Sequence, residues 1–90
     1  MVKMWTIIFT KNASKDKFLL KRAGLADKAK KILDVMLSDP FKIPPSYEKL
    51  LGDLKGYYSR RINYQHRIVY KVDKETKTII VHAMWTHYES

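Results

Sequence analysis

Arg60, Arg61 and Arg67 stand close together in the chain, interleaved with Tyr57, Tyr58, Tyr64 and Tyr70. A guanidinium is a planar fork of donors that grips a phosphate through two parallel hydrogen bonds, which a lysine ammonium cannot reproduce. Near the end of the sequence His87 is followed by Tyr88. Histidine changes charge near neutral pH, so it can deliver or accept a proton. Forked cations beside a proton donor are the parts that chemistry on a phosphodiester requires. Whether they meet depends on the elements that carry them.

The segment Tyr57–Val72 reads as two strands around a short turn. A three-residue loop at Asn63-Tyr64-Gln65 pairs Ile62 with His66, Arg61 with Arg67, Ser59 with Val69 and Tyr58 with Tyr70. Directly opposed residues share a face. Tyr58, Ile62, Ile68, Tyr70 and Val72 then form an apolar face, while Ser59, Arg61, Arg67, Val69 and Lys71 form the other. A slip by one residue would turn an arginine into the core, so this register is preferred. Two arginines side by side repel each other unless an anion lies between them. A bound phosphate would relieve that repulsion, as would a nearby acid such as Glu48 or Asp53. Arg60 falls on the apolar face, where its stem would have to snorkel at a sheet edge.

The other elements follow from pattern. Met4–Thr10 is β-branched and aromatic, and reads as a strand. Ser14 offers an N-cap for a short helix to about Ala23, with Phe18 and Leu19 as its apolar residues, and Gly24 ends it. Apolar residues at 25, 29, 32, 33, 36 and 37 follow helical spacing and predict a second helix over 25–37. Pro40, Pro44 and Pro45 predict a loop over 38–46. Leu50, Leu51 and Leu54 can anchor the ambiguous stretch that follows. Thr78–Trp85 reads as a last strand, after a turn at 73–77. The order β-α-α-β-β-β predicts an α+β fold: a four-stranded antiparallel sheet with both helices on one face.

The 90 residues predict a single domain over 1–90 with a modest core, burying roughly 60–65% of the unfolded surface. The absence of cysteine excludes a disulfide framework and thiolate metal sites, and fits a reducing cytoplasm. No run approaches the ~20 apolar residues of a membrane span, so no membrane partner is expected. Lys and Arg number 18 against 9 Asp and Glu, a net charge of +9. That field attracts a polyanion: nucleic acid, an anionic membrane or an acidic protein.

The run LKGYYSRRINYQHRIVYKV, Leu54–Val72, together with the late His87-Tyr88, resembles the YoeB/Txe branch of the RelE-type toxins of bacterial toxin–antitoxin modules. The shared pattern is L-x-G-x-[WY]-S-R-R-I-x-x-x-H-R-[LIV]-[VI]-Y-x-V, and the element order fits as well. The resemblance implies a RelE-like microbial RNase fold and a ribosome-dependent endoribonuclease that cuts mRNA in the A site. In that chemistry the 2′-hydroxyl attacks the adjacent phosphate with no metal ion and no cofactor. It places the catalytic roles on Glu48, Arg61, Arg67, His87 and Tyr88, with Glu48 as base, His87 as acid, the arginines on the phosphate and Tyr88 on a nucleotide. Lys49, Lys55 and Lys71 are expected at RNA.

The implied partners are the ribosome with its mRNA and an acidic YefM/Axe-like antitoxin whose C-terminal segment folds over the Arg61/Arg67 face; a homodimer is left open. The chain departs from the family in three places. Tyr47-Glu48-Lys49-Leu50 stands where P-E-P-L is usual, Glu89-Ser90 follows the tyrosine, and the Trp-rich N-terminal helix differs. A gyrase-inhibiting relative on the same scaffold would lack the catalytic set, and a plain RNA-binding module would lack the chemistry. His66 in the turn and His82 in mid-strand read as packing residues, as do Trp5 and Trp85.

Overall fold

The computed structural model describes residues 4–85. Among them the chain forms β1 (Thr6–Phe9), α1 (Lys11–Arg22), α2 (Ala26–Ser38), β2 (Glu48–Lys49), a 3-10 turn (Gly52–Leu54), β3 (Tyr58–Arg61), β4 (Arg67–Asp73) and β5 (Thr78–Ala83). The described strands make one sheet in the order β1-β5-β4-β3-β2. The α+β architecture is the expected one, with two differences in the sheet. A fifth strand, β2, adds to the edge beside β3, and β1 lies parallel to β5 while the other pairs are antiparallel. Two residues are too few to show a strand period, and strand direction depends on how the helical pair returns the chain, which local patterning does not encode.

Thr10, and not Ser14, caps α1. Its Oγ1 accepts from the Ala13 amide at 3.1 Å and donates to the His82 carbonyl at 2.9 Å, tying the helix start to β5. At the far end Gly24 takes φ 74°, a conformation glycine adopts without strain, and the chain turns into α2. The buried stripe of α1 is Ala13, Asp16 and Leu20 at 3, 4 spacing. Phe18 lies off that stripe and is 63% exposed, against expectation. In α2, Ala29 and Met36 are buried, and Leu25, Ile32 and Leu33 pack against the same core.

That core joins the helices to Ile62, Ile68, Tyr70, Ile79 and Val81 on one face of the sheet. Trp5 and Trp85 pack at its margin, as the sequence suggests. A second, smaller cluster of Leu50, Val69 and Ala83, flanked by Leu54 and Tyr57, lies apart from it. Leu50 and Leu54 therefore anchor the stretch after β2, whereas Leu51 is 79% exposed. No helix among the described residues is long and apolar enough to cross a membrane.

Candidate active site

The β3–β4 hairpin sets the site. Its pairs are Tyr58↔Tyr70, Ser59↔Val69, Arg60↔Ile68 and Arg61↔Arg67, the register read from the sequence. The turn is fixed by Asn63, whose Oδ1 accepts from the amides of Gln65 (2.8 Å) and His66 (2.7 Å). This Asx turn holds the loop at three residues. Being directly opposed, Arg61 and Arg67 share one face.

The repulsion between them is relieved on one side by an acid. Arg67 Nη1 donates to Glu48 Oε2 at 3.0 Å and to Ser59 Oγ at 3.2 Å. This is the one ion pair among the described residues. Glu48 arrives there because β2 pairs it with Ser59. The Glu48 side chain is 60% exposed and that of Arg67 17%. With its carboxylate end open to water, the pair is worth about 1 kcal/mol. An anion arriving from solvent can therefore compete with the carboxylate for Arg67 at small cost. Arg61 is exposed beside it. Sequence reasoning gave Ser59 no role, yet it is buried and supports Arg67 from below.

Arg60 explains how Glu48 is delivered. Strand alternation turns it away from Arg61, and it is fully buried, head group included. It does not snorkel. Nε donates to Tyr70 Oη at 3.2 Å, Nη2 to the Pro40 carbonyl at 2.9 Å, and Nη1 to the Pro45 carbonyl. Tyr70 Oη in turn donates to the Pro40 carbonyl at 2.9 Å. Tyr47 lies 5.4 Å from the guanidinium and packs with Phe41 and Tyr58. No carboxylate among the described residues pairs with Arg60. Its charge is solvated by loop carbonyls, so the proline-rich loop is fastened to β3 immediately before Glu48.

Burial raises the Tyr70 hydroxyl above its ordinary value, and the nearby Arg60 charge and hydrogen bond only partly oppose this. Folding thus favours the neutral hydroxyl, and its contribution is fully present below the unfolded value of about pH 10. It is lost as pH rises through the raised folded value. Urea denaturation across alkaline pH should show stability falling, with a shallower fall in Tyr70→Phe. Identical slopes would show that Tyr70 does not titrate with unfolding.

The end of β5 is also held. Asp16, buried on α1, accepts from the amides of Met84 (2.9 Å) and Trp85 (3.2 Å). The His66 ring stacks on Trp85 with centroids 3.9 Å apart and planes at 17°. His66 is therefore a packing residue, as expected. Asp16 was missed because a lone acid among apolar positions gives no signal of the distant amides it binds. His87 and Tyr88 lie outside the described residues.

The structure thus brings Glu48, Arg61 and Arg67 together. Lys71 follows Arg67 on the same strand face, four residues on. Lys49 pairs with Tyr58 and so takes the opposite face from Glu48. Lys55 is exposed in the turn after the 3-10 segment.

Two helices on a five-stranded mixed sheet are the fold of solved toxins of bacterial toxin–antitoxin pairs. A family model described as the YoeB-like toxin of bacterial type II toxin–antitoxin system matches residues 9–88. The chain belongs to this family. It is 38% identical over 74 residues to a toxin YoeB of Synechocystis, covering 82% of this chain and 77% of that one. It is 50% identical over 50 residues to a toxin YoeB of Streptomyces coelicolor, covering 56% of this chain and 57% of the relative's length. Among solved structures, a heterotetrameric YoeB–YefM toxin–antitoxin complex from Staphylococcus aureus superposes with a TM-score of 0.78. The identity is 31%, over 93% of this chain and 98% of that one.

Proposed function

We propose that the chain is a ribosome-dependent mRNA endoribonuclease that halts translation, acting in the cytoplasm as the toxin of a toxin–antitoxin pair. The observation that carries this reading is Arg67, held by Glu48 and Ser59 and directly opposed to Arg61 on one basic face. In this reading Glu48 is the base, Arg67 the forked cation and Arg61 the second cation for one phosphodiester.

In the proposed reaction Glu48 takes the proton of the attacking 2′-hydroxyl. The 2′-oxygen bonds to phosphorus while Arg61 and Arg67 stabilise the charge of the phosphorane. The bond to the 5′-oxygen breaks as His87 supplies a proton to it. The products are a 2′,3′-cyclic phosphate and a 5′-hydroxyl, and no oxidant, metal or cofactor enters. Tyr88 would contact the nucleotide. The roles of His87 and Tyr88 rest on the family resemblance.

The same charge calls for neutralisation. An acidic antitoxin segment, disordered when alone, suits the Arg61/Arg67 face, and its binding should weaken with salt. The YefM complex of the staphylococcal relative supports a partner of that class.

The test is cleavage of mRNA on programmed ribosomes with the product ends analysed. Cuts bearing a cyclic phosphate, made in the presence of a divalent-ion chelator with ribosome integrity controlled, are expected. Growth inhibition without mRNA cleavage would overturn the nuclease reading.

A further inference from the structure

We propose that Tyr57, His82 and Lys71 form a subsite for a nucleotide of single-stranded RNA flanking the scissile phosphate. The proposal rests on the nuclease reading above and extends it along the sheet.

The subsite is created by an irregularity in β5. Val69 pairs with Ala83 but Tyr70 pairs with Val81, so His82 is an extra residue opposite β4. Such a bulge places consecutive side chains where regular alternation would separate them. Ala83 joins the small cluster with Leu50 and Val69, and the His82 ring lies beside Tyr57 of that cluster, with centroids 5.4 Å apart. The bulge is pinned from behind, because the His82 carbonyl accepts from Thr10 Oγ1 at 2.9 Å and Asn12 Nδ2 at 3.5 Å. Bulges of this kind re-aim side chains beside functional sites.

Two half-buried rings on the arginine side of the sheet then stand next to a cation. Lys71 Nζ is 5.5 Å from the centre of the Tyr57 ring, and Lys71 is exposed with no carboxylate partner among the described residues. Arg67, Val69 and Lys71 follow one another on one face of β4. Four residues of strand put Lys71 about 13 Å from Arg67. A strand of RNA gripped at Arg67 therefore meets, a short way along, rings for a base and an ammonium for a phosphate. Aromatic platforms joined to a basic groove are how proteins hold single strands without reading sequence. Beyond Lys71, Asp73, Lys74 and Glu75 border the hollow beside Ile80, so the charge there is mixed.

The experiment is single-turnover cleavage of ribosome-bound mRNA across toxin concentrations, with the parent chain, Tyr57→Leu, His82→Ala and Lys71→Ala. Each is run on unmodified mRNA and on mRNAs carrying one abasic nucleotide at successive positions around the cut. Leucine keeps the apolar contact with Leu50 and Val69, and His82 lies outside that cluster, so a folding defect in one variant does not remove the test.

For the parent, one flanking abasic position should raise the half-saturating concentration about 5- to 150-fold, the usual strength of base–aromatic stacking. In Tyr57→Leu and His82→Ala the rise should already be present on unmodified mRNA, and the abasic change at that position should add little. Lys71→Ala should weaken binding and flatten its salt dependence. Variants that saturate like the parent, or that keep the parent's abasic penalty, would overturn the subsite. Variants that lose only the affinity for an acidic protein segment would assign the cluster to the antitoxin and overturn it too. A parent chain that cuts no mRNA refutes the nuclease reading, and the subsite with it.

Discussion

Arg67→Ala will abolish growth inhibition while leaving the protein folded. Arg67 donates to Glu48 and Ser59 on a face open to solvent. The ion pair, with its carboxylate end open to water, contributes about 1 kcal/mol, so its loss will barely move the unfolding midpoint. The chemical loss is far larger. Removing one donor preorganised for developing charge costs on the order of 10²–10³ in rate. Arg67→Lys will rescue poorly, because an ammonium replaces a planar fork with a point charge. The check is cleavage rate and urea midpoint measured on the same preparation. A variant that unfolds, or one that cuts at the parental rate, would remove Arg67 from the proposed role.

Arg60→Met will do the reverse of this from the opposite face of the hairpin. Methionine fills part of the volume but leaves the Pro45 carbonyl without its donor, removes one of the two donors to the Pro40 carbonyl, and takes the Arg60 Nε–H from Tyr70 Oη. Each buried polar group so stranded costs about 1–3 kcal/mol. One carbonyl stranded and two further buried hydrogen bonds lost sum to about 2–5 kcal/mol, a large part of the ~5–15 kcal/mol that holds a small domain together. The urea midpoint should fall by roughly 1 M or more. Arg60→Lys should recover little, since one ammonium cannot span three acceptors set around a planar head. A midpoint within roughly 0.3 M of the parent would show that the loop is fastened by something else. The two arginines thus separate: Arg60 holds the fold and the loop before Glu48, while Arg67 carries the proposed chemistry.

The hairpin was legible because its register has a steep penalty. A slip by one residue would bury Arg61 or Arg67, and the alternation of apolar and charged residues leaves one acceptable pairing. Arg60 was not legible for the opposite reason. Its acceptors are backbone carbonyls 15 and 20 residues upstream, which any residue type supplies and no pattern marks. The same holds for Asp16, whose partners are amides 68 and 69 residues away.

Thr10 displaced Ser14 as the cap because it also reaches the His82 carbonyl, a tertiary contact that adds to the local preference. The bulge at His82 was hidden because a strand of six residues reads the same with or without one unpaired position. Within the candidate site, Arg61 with Arg67 came from the pairing, Glu48 as one of two acids able to neutralise them, and its role as base from the resemblance. The structure joins the two lines by setting Glu48 3.0 Å from Arg67.

The most direct test of the proposed centre is single-turnover cleavage of ribosome-bound mRNA by the parent chain and by Glu48→Ala, Arg67→Ala and His87→Gln. Loss of a general acid or base slows such a step by roughly 10²–10⁴. Each variant is expected to cut at least about 10²-fold more slowly while binding the ribosome. Cleavage at the parental rate by all three would contradict the assignment of this site.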